Sequence, residues 1–230
     1  MKDFLCNSVY FGVLISVIAY QIGVFLKKKF RYSFLNPLLV SIILVILFLL
    51  ATGIEYQAYN AGAKYLSYLL TPATVCLAIP LYEQIDQLKN HASAILLGIL
   101  SGALTSMTCV LILCLLFRLD HTMYVTLLPK SITTAIGLGV SEELGGIGTI
   151  TASVIILTGV IGNISANLVC KVFRITHPIA KGVGIGSASH AIGTTRALEM
   201  GEVEGAMSSL SIAVSGLITV ILISFYAMIY

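Results

Sequence analysis

Thirteen of the 20 glycines in this 230-residue chain fall between Pro129 and Gly205, a region holding two segments too polar to face lipid, inside a sequence too apolar to live in water. That conflict restricts the fold. Apolar residues make up 58% of the chain, charged residues 10%, and mean hydropathy is +1.01. A water-soluble domain cannot hide that much apolar surface, so the composition specifies a polytopic membrane protein. Polar or broken backbone survives at membrane depth only where protein shields it or where it lines a wet cavity. The expectation is an all-α bundle of about six to eight membrane segments, some of them broken or re-entrant.

Two polar segments resemble each other without a gap. One runs from Thr133 to Gly145 and the other from Ser189 to Gly201, with identities at Ala135/Ala191, Ile136/Ile192, Gly137/Gly193, Glu143/Glu199 and Gly145/Gly201. Each precedes an apolar segment of helix length. A duplicated unit of broken polar segment plus membrane helix marks transporter folds.

Leu5–Leu26 reads as a retained span, since no basic region precedes it and no small-residue cleavage site follows. Lys27, Lys28, Lys29 and Arg31 then place its end in the cytoplasm and the N-terminus outside. Pro37–Gly53 returns outward. Tyr65–Tyr82, interrupted by Pro72 and Pro80, is a poor span, and Ala92–Phe117 a strong one. Pro129–Gly145 reads as re-entrant, Ile147–Val172 as a clean span, Ile179–Gly201 as the second re-entrant unit and Ala206–Tyr230 as the last span. Lys171, Arg174 and Lys181 belong in the cytoplasm, so the two units enter from opposite sides as an inverted repeat. The chain divides into membrane helices over 1–120, for scaffold or oligomerisation, and a core over 121–230 with repeat units at 129–172 and 179–230.

Ionisable residues at membrane depth are costly and are functional candidates by default. Arg196 offers a planar fork of donors suited to a carboxylate, and it lies near Ser189, Gly193, Thr194 and Thr195; an ion pair with Glu199 is the equally weighted structural alternative. In the first unit Lys130, Ser131, Thr133 and Thr134 form the matching polar tip, which a helix N-terminus makes attractive to anions. The bland reading there is a set of caps and a lysine snorkelling to the surface. His190, between Ser187, Ser189 and small neighbours, either couples protons or is a packed core residue. Glu142, Glu143 and Glu199 couple protons, pair with Arg196 or lie at the surface.

The net charge of +3 is spread over span ends, which excludes a nucleic-acid footprint. Cys6, Cys76, Cys109, Cys114 and Cys170 form no CxxC pair, so no disulfide, metal or cofactor is expected. Ser189, His190 and Glu199 are hydrolase residue types, but there is no GxSxG, HExxH, Walker or dinucleotide pattern, so no enzymatic activity is expected.

The runs Pro129–Thr134, Glu142–Gly146, Thr158–Gly162, Gly186–Ala197 and Gly201–Leu210 resemble the signature of the LrgB/CidB family. Two positions depart from its pattern: Ala135 stands where Pro is common, and Thr195 where Ala usually precedes the arginine. The resemblance implies a multi-pass protein of the bacterial inner membrane working with a small LrgA/CidA-type partner. It implies an antiholin-like regulator of murein hydrolase activity and lysis, and it also implies kinship to carriers of pyruvate, glycolate and glycerate. The residues favour a carrier or facilitator of a small monocarboxylate with Arg196 at its site, because a holin-type pore has no need of inverted repeats, an intramembrane arginine and paired broken helices. Coupling to protons or sodium, and a homo-oligomer, are expected of it. A non-selective oligomeric pore is the third reading.

Overall fold

The computed structural model describes residues 10–30, 36–69, 72, 75–76 and 78–230. Residues 5–9 of the first expected span, Cys6 among them, lie outside the described residues, as do Arg31 and part of the stretch 65–82. The chain forms two compact units, Met1–Cys76 and Leu77–Tyr230. All regular structure among the described residues is helical.

In the first unit, α1 (Phe11–Phe30) packs against α2 (Pro37–Thr52) and α3 (Tyr56–Ser67). Glycines permit the close approach: a Cβ on Gly23 would meet the Pro37 backbone, and one on Gly12 the backbone of Tyr59 and Ala63. The Ser16 and Tyr59 hydroxyls share a 2.7 Å hydrogen bond across the α1–α3 contact. Pro37 opens α2 with its φ pre-set, and the Asn36 side-chain carbonyl accepts from the Leu38 N–H at 2.8 Å. At 12 residues, about 18 Å, α3 is too short to cross a bilayer.

The second unit holds α4 (Ala78–Glu83), α5 (Ile85–Phe117), α6 (His121–Leu127), α7 (Thr134–Glu143), α8 (Gly148–Val172), α9 (Pro178–Met200) and α10 (Glu202–Ala227). Lys89–Phe117, Gly148–Val172 and Glu202–Ala227 are long and apolar enough to cross a membrane, as is Phe11–Phe30; Pro37–Thr52 is apolar but shorter. These five match the spans expected from the sequence, and the all-α multi-pass class holds.

The polar stretch between them folds as two helical hairpins. In the first, α6 and α7 are antiparallel arms and Pro129–Thr133 is the tip. Gly137 of α7 lies beside Pro129, near the tip. At the base, the Ile147 N–H donates to Thr126 Oγ1 at 2.8 Å, and Thr151 Oγ1 donates to the Thr126 carbonyl at 3.0 Å. The first hairpin thus begins at His121, earlier than the Pro129 read from sequence, because a seven-residue arm is too short to carry a hydropathy signal.

The second hairpin is α9 folded on itself. His190 has φ 42° and ψ −143°, outside helical geometry, and it divides the helix into two arms. Gly193 packs back on Ser189 and Ile185, and Ile185 clusters with Ala197 and with Ala166 of α8. At the base, Lys181 Nζ of the first arm lies 3.7 Å from Glu204 Oε1, just past the end of the second. The two arms therefore start and finish at one end of the unit, and the segment folds back on itself.

Following α8 from its start orders both hairpins. Thr151 meets the base of the first; Ile155 meets Gly137 near its tip. The Ile155 carbonyl also accepts from His190 Nε2 at 2.9 Å, and Gly159 and Gly162 pack against His190, Ile192 and Ser189. Ala166 lies further toward the base of the second hairpin. The hairpins thus point at each other from opposite ends, tip toward tip, across the middle of α8. Small residues carry this packing, as they do where lipid tails are as apolar as any side chain. A Cβ on Gly182 would sit 2.5 Å from the Glu204 carbonyl oxygen, and one on Gly186 would meet the Ser208 backbone.

By its contacts α5 groups with residues 77–230. The reason is local: Ile95 and Ile99 of α5 are buried with Ile179, Val183 and Met207, and Met107, Val110 and Cys114 with Tyr124 and Leu128.

Candidate functional site

A cleft of about 610 Å³ lies where the two tips face each other. The first tip contributes Lys130 and Ser131, the second Ser187, Ala188 and Ser189. One wall is α8 at Thr158 and Gly162; the other is the middle of α5, where Gly98, Ser101, Gly102, Thr105, Ser106 and Cys109 recur at helical spacing. The lining contains five serines, two threonines and a single charged residue, the cation Lys130.

The polar groups are arranged as a chain. Lys130 Nζ donates to Ser131 Oγ at 3.1 Å, and Ser131 Oγ lies 2.9 Å from Ser106 Oγ on α5. Across the cleft, Ser187 is 6% exposed and its Oγ is buried without a hydrogen-bond partner. A buried unsatisfied hydroxyl costs about 1–3 kcal/mol, so its place on a cavity wall calls for an explanation. The helix N-termini of α7 and of the second arm of α9 both start at the tips, and each adds partial positive charge there. Thr133, the N-cap of α7, makes no side-chain cap bond. No carboxylate lines the cleft among the described residues. The arrangement can hold a small anion: one cation, several hydroxyl donors and no competing negative charge.

A model of the LrgB-like family matches residues 16–229. Proteins named antiholin-like protein LrgB from Bacillus mycoides (strain KBAB4), Bacillus cereus (strain B4264) and Bacillus anthracis (strain CDC 684 / NRRL 3495) are each 43% identical over 218 residues, covering 94% of this chain and 95% of the relative. The chain belongs to the LrgB-like family. No solved structure matches it.

Within this LrgB-like chain the residues singled out from sequence separate into two groups. Lys130, Ser131, Ser187 and Ser189 meet in the cleft. The others do not line it. Arg196 donates from Nη1 to Glu199 Oε2 on the same helix, with the two side chains 24% and 47% exposed, so its fork is engaged away from the cleft. His190 is 3% exposed and held by the Ile155 carbonyl, so its Nε2 carries the proton and the ring pins the break to α8. Thr194 Oγ1 donates to the His190 carbonyl at 3.0 Å and lies 2.7 Å from Ser208 Oγ of α10. Gly193 is buried inside the hairpin, Thr133 and Thr134 are half-buried on α7, and Glu142 and Glu143 are exposed toward the base of the first hairpin.

Sequence reasoning found α5 as a span but missed its place on the cleft wall. Its Gly98, Ser101, Gly102, Thr105 and Ser106 form a stripe of small and hydroxyl residues at i, i+3, i+4, i+7, i+8 within an otherwise apolar helix. That period was the available signal, and the high average hydropathy of the span hid it.

Proposed function

We propose that this LrgB-like protein is a carrier or facilitator for a small monocarboxylate, with the anion held between the two hairpin tips. The observation that carries the proposal is the pairing of Lys130 with the unpartnered Ser187 Oγ across one cavity. A carboxylate placed there takes a charge-assisted bond from the ammonium and neutral bonds from the serine hydroxyls. The two units of helical hairpin plus long helix, α6–α7–α8 and α9–α10, fit an inverted repeat with its site at the centre, which suits alternating access. The substrate class is a two- or three-carbon acid of the pyruvate or glycolate kind. The charge rule orients the base of the second hairpin to the cytoplasm and the N-terminus outside.

The relatives' name, antiholin-like protein LrgB, favours a second reading, an antiholin-like regulator, for which the family resemblance implies control of murein hydrolase activity and a small LrgA/CidA-type partner. The two readings join if regulation follows from the flux of a metabolite or a proton. Uptake of labelled pyruvate and glycolate into proteoliposomes, with and without the partner and a proton or sodium gradient, separates them. Saturable uptake supports the carrier. A folded, monodisperse protein that moves neither acid under any of these conditions, yet restores lysis control to cells lacking the relative, supports the regulator.

A further inference from the structure

A second cavity of about 360 Å³ adjoins the cleft toward the base of the second hairpin, and the two share Gly98 and Gly184 as lining residues. His91 and His177 stand at its far end with ring centroids 6.3 Å apart, and Ile95 and Ala180 form its walls. In the opposite direction the bundle is filled: Met107, Tyr124, Leu128 and Ile223 are each at most 1% exposed, and the Tyr124 hydroxyl donates to the Tyr226 carbonyl at 2.8 Å.

The three glycines of the first arm of α9 divide by face. Gly182 and Gly186 are needed for contact, since a Cβ on either would strike α10. Gly184 is not: a Cβ there would meet nothing within 4 Å. A helical glycine without a packing reason gives up about 0.5–1 kcal/mol relative to alanine. Its open side is the junction of the two cavities, opposite Gly98, where a Cβ would come 3.2 Å from Val183 Cγ1.

We infer that the cleft is entered from the His177 end through a lane between α5 and the first arm of α9, and that Gly184 sets the width of this lane. The inference extends the carrier reading by naming the route and the residue that limits solute size. On this reading the site opens to the face nearer His177.

The test is accessibility rather than transport, so it stands apart from the carrier reading. A full-length chain with its five cysteines replaced and Ala188→Cys on the cleft wall is reconstituted in vesicles of known orientation. A membrane-impermeant sulfonated methanethiosulfonate is then added to one face at a time. Labelling is expected from the face nearer His177 and not from the other. Gly184→Leu should slow it about tenfold, or about 1.4 kcal/mol of barrier, while Gly184→Ala leaves it nearly unchanged. Ala180→Leu, on an exposed stretch of the vestibule wall, should slow labelling in the same direction and serves if Gly184→Leu does not fold. Equal labelling from both faces, labelling only from the opposite face, or rates indifferent to both leucines would overturn the lane. If the lane behaves as expected but no carboxylate is taken up, the route stands and the carrier reading falls. Saturable uptake with labelling from the wrong face gives the reverse.

Discussion

His190 and Ser187 each carry a cost in the folded state, and each cost can be measured. His190 holds φ 42°, a conformation that favours glycine, worth about 1–3 kcal/mol of strain. Both His190→Ala and His190→Gly lose the bond to the Ile155 carbonyl, but only glycine relieves the backbone. His190→Ala should therefore be less stable than His190→Gly by about 1 kcal/mol or more in detergent-solubilised unfolding; equal stabilities would show that the backbone at this residue is unstrained. Ser187→Ala removes an unpartnered buried hydroxyl, so stability should hold or rise by about 1 kcal/mol while solute affinity falls. A drop in thermal stability with affinity unchanged would make Ser187 a structural residue. Lys130 stands out in the sequence beside three hydroxyl residues at a helix start, and the fold puts it on the cleft wall. The direction of Arg196 was not legible, because which way it faces depends on where α9 breaks, and a histidine is not a residue type that announces a break.

The elements were more legible than the contacts between them. Hydropathy and the gapless match between 133–145 and 189–201 located the second arms of both hairpins, and in the structure each matched segment runs up to the start of a long helix, α8 or α10. The first arm of hairpin one escaped because seven residues give too few turns for a period. The stripe on α5 escaped because serine and threonine within an apolar helix also read as ordinary interhelical contacts. Packing at the tips is tight, and α8 tolerates the second hairpin only through glycine. A Cβ on Gly162 would overlap Ser189 Oγ, so Gly162→Val should disrupt the tip and cost several kcal/mol, in the manner of an overpacked core. Loss of monodisperse protein on gel filtration, or a large fall in melting temperature, is the expected outcome; a normally folded Gly162→Val protein would contradict the tip-to-helix contact. Gly139, with open space around it, is the control that should tolerate alanine.

At the scale of the molecule, two hairpins that meet tip toward tip place one lysine and a set of hydroxyls on a single cleft. That placement concentrates polar chemistry in a chain with 10% charged residues, and it explains why the polar stretch and the long apolar helices occur in one sequence. On the carrier reading Lys130, rather than Arg196, is the cation of the site. Uptake of labelled pyruvate and glycolate into proteoliposomes by Lys130→Gln and Arg196→Lys proteins tests it most directly. A lost charge-assisted bond is worth about 1.5–3 kcal/mol, so Lys130→Gln should weaken apparent affinity by about tenfold to a hundredfold. Arg196→Lys alters only an exposed pair worth about 0–1 kcal/mol and should change uptake little. Uptake that survives Lys130→Gln but is abolished by Arg196→Lys would contradict the account and move the site to the outer face of α9.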